Sequence, residues 1–163
     1  MPSNLLDTPI GTILIHWRDR TLTGIDLEPN ERGRMEAASA SSPVPEFIAG
    51  PLRDYFASPE VPFDLSLELS GTDYQRRVWS LLRGIPAGQT RTYGELALAL
   101  GSAARAVGQA CRANPCLIVV PCHRVVARQG LGGFAGDTSG RRLGVKRWLL
   151  RHEGIDLQGD GKG

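Results

Sequence analysis

Cys122 and His123 stand side by side after Pro121, where the β-branched run Ile118-Val119-Val120 ends. A free thiol titrates at about 8.5 and is mostly protonated at neutral pH; an adjacent imidazole that accepts its proton raises the reactive thiolate fraction. The competing reading is a core cysteine beside a satisfied histidine, since free cysteine is among the most buried residue types. The other two cysteines, Cys111 and Cys116, lie close by in sequence. Three thiols so near one another make a poor disulfide framework and lack the CxxC spacing of a zinc site, so no metal and no cofactor are expected. His16, inside a strand pattern with no second ligand near it, reads as structural.

Several elements must position this pair. Residues 118–120 read as a buried strand, stopped by Pro121, that delivers Cys122 just past its end. Upstream, Thr72 and Gln75 have capping-box spacing and open a helix to about residue 83, with Val78, Trp79 and Leu82 toward the core. Thr92 and Glu95 repeat the signature, after which Tyr93, Leu96, Ala97 and Leu100 share one helical face. Gly101 turns the chain, Ser102 can cap, and residues 103–113 form a further helix rich in Ala and Gly. Two short helices joined by a glycine turn are a helix-turn-helix, whose second member is the recognition helix. Its small residues let a groove wall approach, and Arg105 projects a cation near its start. Asn114, before Pro115, can bridge backbone groups of the turn and couple that helix to the thiol. Gly130, Gly132, Gly133 and Gly136 mark a loop, and Val145, Trp148, Leu149 and His152 a last amphipathic helix that Gly154 can end.

The first seventy residues carry no catalytic constellation. Residues 10–17 and 22–27 read as a hairpin turned by Arg18-Asp19-Arg20, and 28–42 as a loop with at most a helical turn. Residues 46–56 read as a short helix whose regularity Pro51 limits, and the alternation of Phe63, Leu65, Leu67 and Leu69 as a half-buried strand. At Ser70-Gly71 the period changes from two to helical, which sets domains at 1–70 and 71–163. Charge divides at the same place: five arginines against eleven acidic residues leave the first part at −6, and fourteen cations against six leave the second at +8. A basic half of this kind suits a polyanion. With no long apolar run and no signal-peptide pattern at the start, the expected place is the cytoplasm and no membrane is involved.

The ordered motifs Thr92-Tyr93-Gly94-Glu95-Leu96-Ala97, Ala103-Ala104-Arg105-Ala106-Val107-Gly108, Asn114-Pro115, Pro121-Cys122-His123-Arg124-Val125 and Lys146-Arg147-Trp148-Leu149-Leu150-Arg151-His152-Glu153-Gly154 resemble the O6-alkylguanine-DNA alkyltransferase family. The resemblance is close over residues 71–155 and general before that. It implies an α+β protein: a small N-terminal α/β domain of RNase-H-like type, then a mostly helical domain with the helix-turn-helix. It further implies direct reversal of DNA damage, an alkyl group passing once and irreversibly from O6-alkylguanine, and from O4-alkylthymine, to the protein's own cysteine after base flipping. By matching position, Cys122 is the acceptor, activated through a water by His123, which Glu153 orients. Arg105 fills the space of the flipped base. Tyr93 helps rotate the 3′ phosphate and donates a hydrogen bond near O6. Asn114 is the hinge between recognition helix and reactive turn. Ala104 and Arg112 fall with Arg105 on the DNA side. The carbonyls of Cys122 and Val125 read the guanine amino group, and the Ala135 amide faces O6. Cys111, Leu117 and Trp79 border the substrate pocket.

Three departures from the family pattern stand out. The Gly101-Ser102-Ala103 turn is shorter than the usual glycine-x-proline-x turn, residues 137–142 are an extension, and Cys111 and Leu117 are atypical at the pocket. The resemblance implies a monomer acting on double-stranded DNA that contains alkylated guanine, without an obligate protein partner. The alternatives are a binding-only damage sensor, which would lack the acceptor thiol, and a helix-turn-helix regulator with Cys122 as redox sensor. A regulator would need base-reading side chains that residues 103–113 mostly lack. A Cys-His hydrolase would leave the basic half without a role.

Overall fold

A computed structural model describes residues 2–40, 42–132 and 141–157, without the side chain of Arg141. The chain forms two units, one of Met1–Ser70 with Pro115–Leu117 and one of Gly71–Asn114 with Ile118–Gly163. In the first, β1 (Ser3–Thr8), β2 (Gly11–Arg18) and β3 (Thr21–Asp26) make an antiparallel sheet in sequence order. The β2–β3 hairpin is the one expected, turned at Asp19, whose φ of 52° suits an aspartate better than a bulky residue. β1 was not expected, because Ser3-Asn4-Leu5-Leu6-Asp7-Thr8 has no alternation; register with β2 holds it, from Ser3 opposite His16 to Thr8 opposite Gly11.

Residues 63–69 depart from the half-buried strand expected of them. They touch β3 at a single parallel bridge, Leu22 to Leu67, where Leu22 donates to the Ser66 carbonyl at 2.9 Å and receives from Glu68 at 3.1 Å. Pro115 and Cys116 join the same strand farther along: Ile25 donates to the Pro115 carbonyl at 2.9 Å and bridges Cys116 in parallel. Helices α1 (Glu31–Ala38) and α2 (Glu46–Ala57) complete the unit. The first is longer than the single turn expected, and Asn30 caps it by accepting from the Gly33 N–H. Pro51 does not end α2, which runs its twelve residues with Ile48, Leu52 and Tyr55 buried. These side chains join Ile13, Ile15, Trp17 and Leu22 in the core.

The second unit opens with α3 (Asp73–Arg83), and the Thr72–Gln75 capping box is formed in both directions. After the short β4 (Arg91–Thr92), α4 (Tyr93–Leu100) starts on the second capping box, Thr92–Glu95. Gly101 ends α4 in the left-handed region at φ 64°, where a Cβ would be strained. Helix α5 (Ala104–Arg112) begins at Ala103, whose side chain cannot cap; Ser102, the expected cap, instead shares a 2.8 Å hydrogen bond with the Tyr74 hydroxyl. Trp79 ties α3 to α5, its indole N–H donating to the Ala110 carbonyl at 2.8 Å within the packing of Val78, Leu82 and Val107. Truncating such a tryptophan to alanine removes about 3–5 kcal/mol.

The stretch around the reactive pair is not one strand. Ile118 sits at φ 79°, a strained value for a β-branched residue, and the chain turns there. Cys122–Arg124 form a single 3-10 turn, and only β5 (Val125–Val126) is strand, paired in parallel with β4. Helix α6 (Arg141–His152) follows and stops at Gly154, φ 88°. Gly133, Ala135, Gly136 and residues 137–140 of the extension lie outside the described residues.

Candidate active site

The 3-10 turn carries Cys122, His123 and Arg124 in succession, and the side chains of His123 and Arg124 meet on Glu153. All three are buried, with His123 at 0% exposure. His123 Nε2 lies 2.7 Å from Oε2 of Glu153, which α6 delivers from the turn at its C-terminus. His123 Nδ1 is buried and has no hydrogen-bond partner among the described residues. With Nε2–H donating to the carboxylate, Nδ1 carries the lone pair of a neutral imidazole, so it is the open acceptor of the pair. Burial pushes the His123 pKa down, against the upward pull of Glu153 and with help from the cations Arg124 and Lys146.

Burial acts the other way on sulfur. The Cys122 thiol is pushed up to about 11, mainly by loss of solvent, while a hydrogen bond from Asn114 and the charge of Lys146 hold it down in part. Burial therefore favours the neutral thiol at rest, a direction opposite to the rise in thiolate fraction expected from a neighbouring imidazole. Asn114 also donates through Nδ2 to the Val120 carbonyl at 2.8 Å, so one buried side chain at the exit of α5 holds both the backbone before the turn and the sulfur.

Two charged groups were missed by sequence reasoning. Arg124 grips Glu153 with Nε to Oε1 at 2.8 Å and Nη2 to Oε2 at 2.9 Å, and donates from Nη1 to the Ile85 carbonyl at 2.6 Å. Lys146 is fully buried, its Nζ donating to the Val125 carbonyl at 2.7 Å. Spacing held a signal for the lysine: residues 146, 149, 150 and 153 fall at i, i+3, i+4 and i+7, one face of α6. The Cys122 carbonyl likewise receives the Val125 N–H, so each of the two carbonyls expected to read guanine already accepts a hydrogen bond within the protein.

Tyr93 opens α4 half-buried, and burial together with the nearby Cys111 and Cys122 thiols pushes its phenol well above the usual range, which keeps it a donor. Gly132, at φ 75°, makes room for it: a Cβ there would stand 3.1 Å from the Tyr93 ring. Cys111 is buried beside Cys122, with its thiol also raised by burial. Ala104, Arg105 and Arg112 of α5 are exposed. Trp79 belongs to the α3–α5 packing, Val125 lies in β5, Leu117 is buried in the first unit, and Ala135 is outside the described residues. No group of three or more His, Cys, Asp or Glu side chains among the described residues could hold a metal. No helix among the described residues is long and apolar enough to cross a membrane. Chemically the turn holds a soft nucleophile, the Cys122 thiol, and at the next residue an imidazole with an open acceptor nitrogen.

Comparison with known proteins bears on the same residues. The family model for the 6-O-methylguanine DNA methyltransferase DNA binding domain matches residues 73–155. The chain is 46% identical over 145 residues to the methylated-DNA–protein-cysteine methyltransferase of Salmonella typhimurium, covering 86% of this chain and 80% of that one. It is 42% identical over 139 residues to the enzyme of the same name from Mycolicibacterium paratuberculosis, covering 80% and 82%. Among solved structures, Mycobacterium tuberculosis OGT in complex with DNA superimposes with a TM-score of 0.77 at 37% identity, over 93% of this chain and 92% of that one.

Proposed function

The chain belongs to the O6-methylguanine DNA methyltransferase family, and from that premise we propose that Cys122 is the sulfur on which the alkyl group ends, with His123 as its proton acceptor and Glu153 orienting the imidazole. The protein acts in DNA repair as a methylated-DNA–protein-cysteine methyltransferase, and DNA is its partner. The observation that carries the assignment of Cys122 is the orphaned Nδ1 of a buried His123, whose other nitrogen is tied to Glu153 at 2.7 Å, next to a buried thiol.

In the reaction so read, sulfur attacks the alkyl carbon, the S–C bond forms, and the bond from that carbon to O6 of guanine breaks. The thiol proton passes to His123 Nδ1, directly or through a water, and guanine regains a proton at N1. Forming the thiolate unaided at pH 7 from a thiol near 11 costs about 5 kcal/mol, which is why the acceptor must sit within the same dry site. Tyr93, held as a phenol, donates to the oxygen that gains charge as the bond breaks. The thioether product has no leaving group that water can displace readily, so each molecule reacts once.

The second unit is read as the DNA-binding part, with α4, the Gly101 turn and α5 as a helix-turn-helix and α5 as recognition helix. The exposed side of α5 supports this: Ala104 leaves room for a groove wall while Arg105 and Arg112 offer cations, and Arg105 takes the place of the flipped base. Asn114 then links α5 to the reactive turn. The first unit, with its three-stranded sheet and two helices, is read as the RNase-H-like domain, and the protein as a monomer on double-stranded DNA. A stoichiometry experiment tests the reading. With excess duplex containing O6-methylguanine, restored guanine should plateau at one per protein molecule and a second addition of duplex should yield none; continued turnover would contradict it.

A further inference from the structure

The Arg124 guanidinium is one of the most completely occupied side chains in the second unit, yet nothing in the transfer reaction as described uses it. Its fork meets both oxygens of Glu153, at 2.8 and 2.9 Å, and its third contact, 2.6 Å to the Ile85 carbonyl, anchors it to the segment that follows α3. Glu153 Oε2 is shared: it accepts from Arg124 Nη2 and from His123 Nε2 together. We propose that Arg124 is a positioning residue of the transfer site, fixing the carboxylate that orients His123 and, as a buried cation behind it, keeping His123 a neutral acceptor for the Cys122 proton. This inference rests on the reading of His123 as proton acceptor and adds what sets its resting charge.

The buried charges around His123 set its resting state. Glu153 and Lys146 from α6 and Arg124 from its own turn act on it. With Arg124 in place, the Glu153 carboxylate is already matched by a guanidinium, and Lys146 is a further buried cation. An imidazolium would put one more positive charge beside these two, in a place where solvent cannot screen it. Take Arg124 away and one of the cations opposing protonation is gone: the pull of Glu153 on His123 is offset less, and the imidazole takes a proton on Nδ1 more readily. The nitrogen that must accept from sulfur is then already occupied. A bidentate fork also fixes the plane of the carboxylate, which a single-point cation does not.

Two variants separate the effects, read by the NMR titration of the His123 imidazole in the resting protein and by the pH–rate profile with free O6-benzylguanine. In Arg124→Met the His123 titration should move upward by at least about one unit, and the acid limb of the rate with it, giving roughly a tenfold loss along that limb that recovers as pH rises past the shifted titration. Arg124→Lys keeps the cation but loses the fork. Its titration should stay near the wild-type position, while the rate falls at every pH. If Arg124→Met does not fold, Arg124→Lys decides alone: an upward-shifted titration, or an unchanged rate, overturns the proposal. A folded Arg124→Met with wild-type titration and profile overturns it as well. The NMR readout needs no transfer, so wild-type protein that accepts no alkyl group would sink the functional reading while leaving the Arg124 test intact.

Discussion

Replacing Glu153 by glutamine keeps the size of the side chain and removes its charge, and the contacts around it set what should follow. In the wild type the carboxylate oxygens accept from His123 at 2.7 Å and from Arg124 at 2.8 and 2.9 Å. A glutamine amide has one oxygen to offer and turns an NH2 group toward one of these donors. Breaking one side of a buried charge pair costs about 3–5 kcal/mol. At roughly 2–4 °C per kcal/mol for a chain of this size, the thermal midpoint should fall by about 6–20 °C. The kinetic effect is separate. Without the carboxylate an imidazolium on His123 loses its stabiliser, and the neutral thiol near 11 must ionise with little help. We expect the rate with free O6-benzylguanine at pH 7 to fall by about 10²–10⁴, within the range that follows loss of the orienting carboxylate in a triad. The rate should then keep rising with pH and reach no plateau below about pH 9, as expected when the free thiolate limits it. Stopped-flow or quenched reactions over the pH range, with thermal melts of the same preparation, supply both readouts. A stable variant with an unshifted profile would refute the role of Glu153 and reduce it to a helix-end contact.

Arg105→Ala should slow repair in duplex DNA far more than reaction with free O6-benzylguanine, because the exposed side chain replaces a flipped base and does not touch the sulfur; equal losses on both substrates would make it structural. Gly132→Ala puts a Cβ 3.1 Å from the Tyr93 ring and 3.2 Å from the Ala127 nitrogen at a φ of 75°, so about 1–3 kcal/mol of stability and a measurable part of the rate should be lost together. Stability should have a window in pH. His123 and His16 have lowered folded pKa values, so their contribution is present above the ordinary histidine value of about 6.5 and lost as pH falls through the folded ones. The Cys122 thiol is raised, so its contribution is present below 9.0 and about 3 kcal/mol is lost as pH rises through about 11. Denaturant melts at pH 5, 7.5 and 10.5 check both limbs, and a flat response would show that these groups are less enclosed than the geometry indicates.

Elements with local signals were legible in the sequence. Both capping boxes, the Asp19 hairpin and the glycine that ends α4 depend on a few neighbouring residues whose chemistry is the same in any context. Elements that depend on partners far along the chain were not. Residues 3–8 become a strand only because β2 lies alongside, and the clean alternation of 63–69 gives one bridge because β3 meets it at Leu22 alone. The reactive stretch shows the same limit. Its β-branched run reads as strand, but residues 115–117 pair with β3 and the chain then turns at Ile118, so Cys122 is presented on a tight 3-10 turn. At the site, Cys122, His123 and Glu153 were legible from residue type and order. Arg124 and Lys146 were not singled out, since a cation in a sequence reads as surface until packing shows what surrounds it.

The most direct test of the account is the fate of one atom. Wild-type protein incubated with an oligonucleotide carrying a single O6-methylguanine should gain the mass of one methylene, and peptide mapping should place it on Cys122 alone, with the oligonucleotide losing the same mass. A gain mapped to Cys111 or Cys116, or no gain in protein that binds the oligonucleotide, would contradict the assignment of Cys122 as the alkyl acceptor.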